Sequence, residues 1–477
     1  MTKKITIFQQ NDTHGCLDAH DEFYWQGNAP VLKRAGGLAR ISKYVKDVKK
    51  QLKNVLFFDG GDLFHGTLPL VKSKGEALIP ILKEMELDGF VPGNWDFAYG
   101  KKQLKKLVGE LPCSTLACNV FEDDTQEPFL TPYKIYELTG MNVGVIGLTY
   151  GHEKETMPES FTNGLSFTLG VEEVSGIVEA ILDKVDLIIV VSHLGLPLDV
   201  KLASLVKGID VILSGHSHDR VINPIDVEGT LVVQAGSNAA FLGRLDLTVE
   251  GASITHYEYQ LIDVHENMQE DPHVAELVNT ALEPFSKEIN EIAGVTNTLL
   301  HRMSLEQSPM DKLITDAYLH SYDCHIAFSH GWRYGPPMAA GPLSIFDLYS
   351  IIPTNPNLFT VEIEGQALRK TLEKNLEMVF SANPFKQKGG YILRSSGLSM
   401  TYKPYNPKGH RIQTLHVGGR ELDDHATYKV AGGGGQVMKE CEKNKTYFDH
   451  QAIDVISSFL KEKGPFELRG SKQIISV

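Results

Sequence analysis

Residues 5–14 read Ile-Thr-Ile-Phe-Gln-Gln-Asn-Asp-Thr-His, an apolar run followed by side chains that can bind a metal. Four later segments place Asp, Asn or His in the same way, three of them just after apolar runs. They are Gly61-Asp62, Gly93-Asn94, His193 and Gly215-His216-Ser217-His218. The apolar runs predict strands, and side chains beyond the carboxyl ends of strands converge on one crevice of an open α/β sheet. The sequence therefore predicts a single cluster of Asp, Asn and His side chains.

This predicted cluster has the composition of a catalytic metal site. Carboxylate, amide and imidazole ligands suit Mn, Zn or Fe better than they suit a thiolate-bound structural zinc. The candidate ligands are too many for one ion: Asp12, His14, Asp62, Asn94, His193, His216 and His218. The pattern therefore predicts two divalent metal ions as cofactors. Two such ions, ~3.5–4 Å apart, activate a water and clamp both ends of an in-line displacement at phosphorus.

The order of these segments resembles that of calcineurin-like metallophosphoesterases, whose motif is D-x-H, G-D, G-N-H-[DE], H and G-H-x-H. The third block differs, because Gly93-Asn94-Trp95-Asp96 has a tryptophan where the family has a histidine. The family's imidazole helps to stabilise the reacting group, whereas an indole is only a hydrogen-bond donor. The resemblance thus implies a complete set of metal ligands and one missing catalytic group.

The resemblance also implies how the ligands are divided between the ions. One ion would be bound by Asp12, His14 and His218, and the other by Asn94, His193 and His216. Asp62 would bridge the two ions, with its two carboxylate oxygens reaching both, and would take part in catalysis. In an extended segment, alternate residues such as His216 and His218 share one side, so that both could reach the metal pair.

A histidine near Asp62 is a candidate for the missing imidazole. His65 lies three residues beyond Asp62 in the same predicted loop and is not at a ligand position of the family. The alternative is that His65 is an ordinary histidine of a surface loop. His20 and His152 also lie near predicted strand ends and are weaker candidates.

The second half of the chain carries another set of motifs, which includes Gly331-Trp332-Arg333 and the segments 340–344, 361–365 and 389–398. These motifs resemble the C-terminal domain of bacterial 5′-nucleotidases. In that family the domain supplies an arginine-lined pocket and two aromatic rings that sandwich the base. The resemblance implies substrate-binding roles for three residues: Arg333, Tyr391 and Phe448. Aromatic residues at strand positions are often core residues, which is the alternative for the two rings.

One motif in each half is also similar to the thiosulfohydrolase branch of this family. Gly93-Asn94-Trp95-Asp96 shares the tryptophan of that branch, and the Gly331-Trp332-Arg333 turn shares its pattern. The family's Gly-Gly-Asp-Gly also appears here as Gly432-Gly-Gly-Gly435. The resemblance therefore implies the architecture of a 5′-nucleotidase. The implied substrate is either a nucleotide phosphate ester or a compound with a sulfur–sulfur bond.

The hydrophobic pattern predicts an α/β protein with two domains. Residues 1–265 alternate strands and helices and are expected to form a four-layer α/β-β/α metallophosphoesterase domain. Helical spacing predicts a linking helix within 266–294, and residues 295–477 show the alternation of an α+β domain of the 5′-nucleotidase C-terminal type. Predicted helices include 38–52, 75–87 and 171–182.

The charge and hydrophobicity of the sequence argue against some classes of binding partner. The net charge of −14 and the lack of a basic cluster in the sequence argue against nucleic acid as a partner. A small nucleotide or phosphate ester stays compatible, because bound metals reverse the local charge. The sequence shows no signal peptide and no run of ~18 apolar residues, so we expect a cytoplasmic protein that does not span a membrane. The oligomeric state stays open.

Three functional hypotheses follow from these motifs. The first is a binuclear-metal hydrolase of nucleotide phosphate esters, acting on 5′-monophosphates, 2′,3′-cyclic phosphates or nucleoside-diphosphate sugars. The second is hydrolysis of a sulfur–sulfur bond, as in the thiosulfohydrolase branch. The third is a metal-bearing binding module without catalysis, motivated by Trp95 at the position of the family histidine.

Overall fold

The computed structural model describes residues 2–330, 332–434, 444–470 and 472–477. The chain divides into two compact units: residues 2–22 with 34–284, and residues 23–33 with 285–477. The division at Pro284 lies within the segment predicted to link the halves. The sequence pattern did not indicate that residues 23–33, in a hairpin near the N-terminus, belong to the second unit.

The first unit contains the strands of two large sheets and the helices that cover them. The strands up to residue 263 are β1 Thr2–Gln10, β2 His20–Gln26, β3 Ala29–Ala35, β4 Val55–Asp59, β5 Gly89–Phe90, β6 Ser114–Thr115, β7 Val120–Glu122, β8 Tyr133–Leu138, β9 Met141–Leu148, β10 Leu165–Phe167, β11 Leu187–Ser192, β12 Val211–Ser214, β13 Ile225–Val227, β14 Thr230–Gln234, β15 Phe241–Glu250 and β16 Ser253–Asp263. Most of the hairpin β2–β3 belongs to the second unit. The α-helices of the first unit are α1 Leu38–Gln51, α2 Leu68–Ser73, α3 Ile79–Glu84, α4 Gly100–Gly109, α5 Glu153–Thr156, α6 Glu159–Thr162, α7 Val171–Ile181, α8 Leu196–Leu205 and α9 Pro272–Leu282. Short 3-10 helices occupy Glu76–Leu78, Asn94–Phe97, Leu182–Lys184 and Glu283–Phe285.

Two six-stranded sheets pack face to face in this unit. Their strand orders are β16-β15-β1-β4-β5-β6 and β13-β14-β12-β11-β9-β8. Ile5, Phe58, Val143, Ile189 and Leu213 belong to one buried cluster between the sheets. A second cluster packs α1, α3, α4 and α9 on the outer face of the first sheet. The predicted four-layer α/β-β/α architecture is confirmed.

The strands that carry the candidate ligands run parallel in the middle of each sheet. β1 pairs with β4 through Thr6–Val55 to Gln10–Asp59, and β11 lies between β9 and β12. All six residues of β11 are buried, as expected of a continuous apolar strand covered on both faces. Because these parallel strands end at the same edge of each sheet, the loops after β1, β4, β11 and β12 emerge together.

The second unit has an α+β arrangement, as predicted. Its strands are β17 Ile292–Thr296, β18 Ile326–Ser329, β19 Gly341–Ser344, β20 Asn357–Glu364, β21 Arg394–Ser396, β22 Leu398–Tyr402, β23 Ile412–Val417, β24 Arg420–Glu421, β25 Thr427–Gly433, β26 Thr446–Gln451 and β27 Ile474–Ser476. Its helices are α10 Ser286–Asn290, α11 Pro309–Ser321, α12 Ile345–Ile351, α13 Gly365–Phe380 and α14 Ala452–Lys463, with a 3-10 turn at Pro384–Lys386. Its main sheets have the orders β21-β18-β25-β20-β26 and β24-β23-β22-β27.

Local structure differs from the sequence expectation in the predicted helix at 75–87. Residues 75–87 were expected to form one helix, but the structure has a 3-10 turn at Glu76–Leu78 followed by the short α3, Ile79–Glu84. Pro80 lies in the first turn of α3, where its missing N–H costs no hydrogen bond, and it starts a new helix rather than continuing one. The apolar spacing was read correctly, while the position of the break depended on proline.

Candidate metal centre

The first group of ligand atoms comes from the loops after β1 and β12. His14 Nε2 and His218 Nε2 lie 3.1 Å apart. His218 Nε2 is also 3.1 Å from Asp12 Oδ1. Asp12 and His14 are buried, and His218 is nearly so. These three side-chain atoms thus lie close together. They belong to the three residues that were predicted to bind the first ion.

The second group comes from the loops after β4, β5, β11 and β12. His193 Nε2 lies 3.3 Å from Asp62 Oδ2. His216 Nδ1 lies 2.8 Å from Asn94 Oδ1. Asp62, His193 and His216 have ligand atoms that all lie within 4.8 Å of one another, and Asp12, His14 and His218 form the other such group. The structure therefore contains two candidate metal sites.

Asp62 lies between the two groups, but in a different way from the sequence expectation. Its Oδ2 is 3.6 Å from His14 Nε2 and 3.3 Å from His193 Nε2, so this one oxygen faces both groups. The other oxygen, Oδ1, accepts a hydrogen bond of 2.8 Å from the backbone N–H of Trp95. Oδ2 is therefore the Asp62 oxygen that faces both groups, while Oδ1 is oriented by the backbone.

An unusual backbone conformation aims these side chains. Asp12, His14, Asp62, His216 and His218 all have positive φ, between 46° and 69°. Non-glycine residues rarely adopt this conformation, and its strain concentrates at functional sites. The segment from 215 to 218 is therefore not extended, contrary to the sequence expectation. Its two left-handed histidines point to different groups, His216 to the second and His218 to the first.

Two glycines let the ligand loops approach one another. A Cβ atom on Gly61 would lie 2.4 Å from the backbone nitrogen of Gly93, and one on Gly93 would lie 2.3 Å from Asp62 Oδ1. Any side chain at either position would push the loops apart. This contact explains why the motif places a glycine directly before Asp62 and Asn94.

Asp96 ties the same two loops together through its carboxylate. Its two oxygens accept four backbone N–H bonds of 2.8 Å, from Asp62, Leu63, Phe64 and Gly93. A buried carboxylate with four donors holds these loops in a fixed register. The sequence motif included this position, but its spacing gave no reason to expect the role.

Hydrogen bonds orient the ligands from behind. His193 Nδ1 donates to the carbonyl of Gly60 at 2.5 Å, which leaves Nε2 facing Asp62. Asp12 Oδ2 accepts from the Asn11 amide and the His216 backbone N–H, which turns Oδ1 toward His218. Such outer hydrogen bonds fix the tautomer and direction of metal-binding side chains.

The charges of the cluster also shift its pKa values. Burial lowers the pKa of His14 to about 4 despite the negative charge of Asp62. Burial also acts to lower the pKa of His193, but the charges of Asp62 and Asp12 outweigh it and raise that pKa to about 10. Without a cation, the carboxylates therefore hold a proton on His193. A divalent ion bound there must displace this proton, so metal binding weakens as pH falls.

The geometry fits divalent metal ions. Bonds of ~2.0–2.2 Å to a shared ion place neighbouring ligand atoms ~3 Å apart. The separation of 3.1 Å between His14 Nε2 and His218 Nε2 matches this value. A carboxylate, an amide oxygen and imidazoles are also the donor types expected for Mn, Zn or Fe.

His65 lies beside this centre and is stacked on the tryptophan of the altered motif. The rings of His65 and Trp95 have centroids 4.8 Å apart and are inclined by only 12°. His65 is 4% exposed, so it is not a histidine of an open surface loop. Burial and the nearby charge of His14 lower its pKa to about 3. His65 is therefore a neutral imidazole at neutral pH.

The two weaker histidine candidates have partners of their own. His20 Nε2 is 3.6 Å from Glu22 Oε2. His152 Nδ1 is 3.4 Å from Glu155 Oε1. Neither belongs to the two groups of candidate ligands.

The predicted substrate-binding residues lie in the second unit. Arg333 is half-buried beside an aromatic ladder in which Trp332 stacks on Tyr334 at 5.4 Å. The Tyr391 ring lies 5.2 Å from the Arg394 guanidinium. Phe448, on the strand β26, packs on Tyr322 with centroids 4.4 Å apart. Gly331 and Gly435, also part of the predicted motifs, lie outside the described residues.

Comparison with known proteins agrees with both halves of this picture. A family model for calcineurin-like phosphoesterases matches residues 5–220, and one for the 5′-nucleotidase C-terminal domain matches residues 288–438. The trifunctional nucleotide phosphoesterase protein YfkN of Bacillus subtilis is 23% identical over 495 residues, which cover 90% of this chain and 32% of that protein. The chain thus spans about a third of the length of that relative.

Two solved structures, both from Thermus thermophilus, share the fold over nearly their full length. The sulfate thiohydrolase SoxB has a TM-score of 0.92 at 24% identity, covering 99% of this chain and 96% of the other. The 5′-nucleotidase precursor has a TM-score of 0.89 at 24% identity, covering 100% and 99%. At this identity the likeness shows the fold alone. The two family matches therefore identify a calcineurin-like phosphoesterase domain in residues 5–220 and a 5′-nucleotidase C-terminal domain in residues 288–438.

Proposed function

We propose that this protein hydrolyses phosphate esters of nucleotides with two bound divalent metal ions. The observation that carries the proposal is Asp62 Oδ2, which faces His14 of one ligand group and His193 of the other. A shared carboxylate oxygen is what a two-metal site requires to hold its ions close together. The nucleotide class rests on the C-terminal 5′-nucleotidase domain and on the name of the Bacillus relative.

The ligand residues have a defined task in this reaction. Bound divalent ions would polarise the phosphoryl oxygens and lower the pKa of a water. Asp12, His14 and His218 would hold one ion, while His193, His216 and the amide oxygen of Asn94 would hold the other. Asp62 would bridge the two, and its Oδ1 accepts a hydrogen bond from the Trp95 backbone. The identity of the ions among Mn, Zn and Fe stays a prediction.

His65 is our candidate for the missing family imidazole. With a pKa of about 3, it is neutral at the pH of the reaction and does not supply a proton as an imidazolium. A neutral ring still carries one N–H, which can donate a hydrogen bond to a phosphoryl oxygen. Its stacking on Trp95 keeps the ring orientation fixed. We therefore propose hydrogen bonding, rather than general acid catalysis, as its contribution.

Substrate binding is proposed for three residues of the second unit. The guanidinium of Arg333 would grip an anionic group with two parallel hydrogen bonds. Tyr391 and Phe448 would contribute aromatic faces for a base. Tyr391 already lies over Arg394 and Phe448 already packs on Tyr322, so each ring has one side in use.

The test is hydrolysis of a nucleotide panel by protein loaded with metal. The panel contains 5′-monophosphates, 2′,3′-cyclic phosphates and nucleoside-diphosphate sugars, with Mn²⁺ or Zn²⁺ added and metal content measured on the same sample. We expect phosphate-ester cleavage in at least one class. Protein that carries two ions per chain and cleaves no member would contradict the proposal, and tight nucleotide binding with no turnover would identify a binding module.

Sulfur–sulfur hydrolysis is not put forward as a second function. The likeness to the thiohydrolase, at 24% identity, shows the fold alone. The Trp95 ring has a structural role of its own here, because it stacks on His65. Release of sulfate from a carrier-bound thiosulfonate, by a sample inert toward nucleotides, would reverse this judgement.

A further inference from the structure

One loop covers the second ligand group from outside. Residues 149–157 follow β9, and two of them touch ligands. The ring of Tyr150 stacks on His216 with centroids 4.3 Å apart and an angle of 24°. Met157 Sδ accepts a hydrogen bond of 3.7 Å from the Asn94 amide. The loop therefore packs directly against the residues proposed to hold the second ion.

Glu153 is the first residue of α5 within this loop, and its environment is unusual. Its side chain has no exposed surface, and neither carboxylate oxygen has a hydrogen-bond partner among the described residues. Burial, together with the negative charge of nearby Asp62, raises its pKa well above the usual range. A buried carboxyl without partners costs free energy, because its lost hydration is not replaced.

Two other buried carboxyls in this unit accept hydrogen bonds from the protein itself. Asp96 accepts four backbone N–H bonds, as described above. Asp59 accepts from the Gln10 amide at 2.6 Å and from the Gly61 backbone at 2.8 Å. Glu153 differs from these two, because neither of its oxygens has a hydrogen-bond partner among the described residues, and it lies on the loop that packs against the second ligand group.

The charge balance of the metal centre supplies a partner for Glu153. Two divalent ions bring four positive charges, whereas the proposed ligands include only two carboxylates, Asp12 and Asp62. Bound cations are the largest local charges in such sites and favour nearby negative groups. Glu153 does not belong to the two groups whose ligand atoms lie within 4.8 Å of one another, so it is placed outside the direct ligands.

We propose that Glu153 is an outer carboxylate of the second metal site, which pairs with the ion held by Asn94, His193 and His216 through a coordinated water. This inference rests on the proposed two-metal function and extends it to a residue outside the family motif. Glu153 is a positioning residue, since it acts through the ion and its water.

The test compares Glu153→Gln with Glu155→Gln in the full chain. Glutamine keeps the size of Glu153 but removes its charge. Glu155 lies in the same short helix with a side chain 52% exposed, and it serves as the control. Titration of metal-free protein with Mn²⁺, followed by calorimetry and metal analysis, should show ~10–100-fold weaker binding of one ion in Glu153→Gln. The control should bind both ions like the wild type.

Thermal unfolding separates this role from a purely structural one. Without metal, Glu153→Gln should unfold at a temperature no lower than the wild type, because no partner is lost. With Mn²⁺, its gain in unfolding temperature should be smaller than that of the wild type. Glu153→Asp, which keeps the charge on a shorter side chain, should lie between the two.

Two results would overturn the proposal. One is Mn²⁺ binding by Glu153→Gln that equals the wild type for both ions. The other is a metal-free variant that is strongly destabilised while its gain with Mn²⁺ is unchanged, which would assign Glu153 to the fold. These measurements contain no nucleotide, so failure of the proposed nucleotide hydrolysis would leave their outcome intact.

Discussion

Each unit of this protein buries a cluster of charged residues, and the two clusters differ in how their charges are satisfied. In the second unit, Arg302 and Arg394 flank Asp311, with Nε atoms 3.5 and 3.7 Å from its two oxygens. Ser308 and Ser329 donate hydroxyl hydrogen bonds to the same carboxylate at 2.6 and 2.7 Å. Every oxygen of Asp311 therefore faces donors that belong to the chain.

The terminal nitrogens of the two guanidinium groups are satisfied within the chain, while each Nε makes only its ion pair with Asp311. Their remaining nitrogens donate to backbone carbonyls at 2.5–2.8 Å: Arg302 to Tyr334 and Ile351, and Arg394 to Ser304 and Leu305. Both side chains are at most 2% exposed. This cluster needs no ligand from solution, and its geometry is that of a structural element.

In the first unit, the rest of the chain does not satisfy the cluster in this way. His14 Nε2 and His218 Nε2 face each other, and carboxylate oxygens of Asp12 and Asp62 point at the same space. These converging carboxylate and imidazole atoms leave a place for a cation. The comparison teaches that burial of charge alone does not identify a functional site, whereas a cluster of side chains that are metal-ligand types does.

Among the substitutions that test this difference between the two clusters, Asp62→Ala is expected to have the largest effect. Removing the shared oxygen should lower metal content below two ions per chain and turnover by ~10³-fold or more, since metals contribute several kcal/mol to the transition state. Metal analysis and nucleotide turnover on one sample measure both. Asp183→Ala, at an exposed position, is the control and should change neither. Two ions retained by Asp62→Ala would refute its bridging role.

In the second unit, Asp311→Asn should cost stability and leave the metals in place. The substitution leaves two buried guanidinium groups without their shared negative charge, which typically costs about 3–5 kcal/mol. Urea unfolding measures the loss, and metal content should stay at the wild-type value. The exposed Asp323→Asn is the control. A loss below about 1 kcal/mol would show that the backbone carbonyls alone are sufficient.

The pH dependence of stability tests the state of His65. Its folded pKa of about 3 lies below the unfolded value of 6.5, so only the unfolded state gains a proton as pH falls from 7 to 5. The neutral ring therefore contributes stability above pH 6.5 that is lost toward pH 3. The difference between wild type and His65→Gln should narrow by about 2 kcal/mol between about pH 7 and pH 5.

Urea unfolding of metal-free protein at the two pH values gives this difference. His256→Gln is the matched control, because the His256 side chain is 66% exposed. A difference between wild type and His65→Gln that is the same at both pH values would show that the buried ring is not held neutral.

The smallest expected effect is that of Arg333→Ala. Loss of a charge-assisted contact to substrate should raise KM about tenfold while metal content stays constant. Arg333→Lys keeps the charge without the planar fork and should lie between wild type and alanine. Arg369→Ala removes a partly exposed arginine that pairs with Asp424, and it should leave KM unchanged. An unchanged KM in Arg333→Ala would make Arg333 a structural residue, like Arg302 and Arg394.

Much of the candidate metal centre was predictable, because each ligand is indicated by its own short segment of sequence. Apolar runs such as 5–8 and 187–191 predicted strands, and the polar residue after each run predicted a ligand at the strand end. The family motif supplied the grouping of ligands, and the structure brings the same residues together. The rule that parallel strands end at one edge converts a one-dimensional pattern into a three-dimensional cluster.

Tertiary structure alone decided how those side chains are aimed. The left-handed backbone of His216 and His218 depends on loop contacts that no spacing encodes, and so does the hydrogen bond that orients Asp62 Oδ1. Glu153 and the Arg302–Asp311–Arg394 cluster also escaped the sequence pattern, because their neighbours come from distant segments. Sequence by itself determined which residues carry the metal chemistry. Packing determined which buried charges the chain satisfies and which it leaves for an ion, because desolvation and hydrogen bonding depend on distant neighbours.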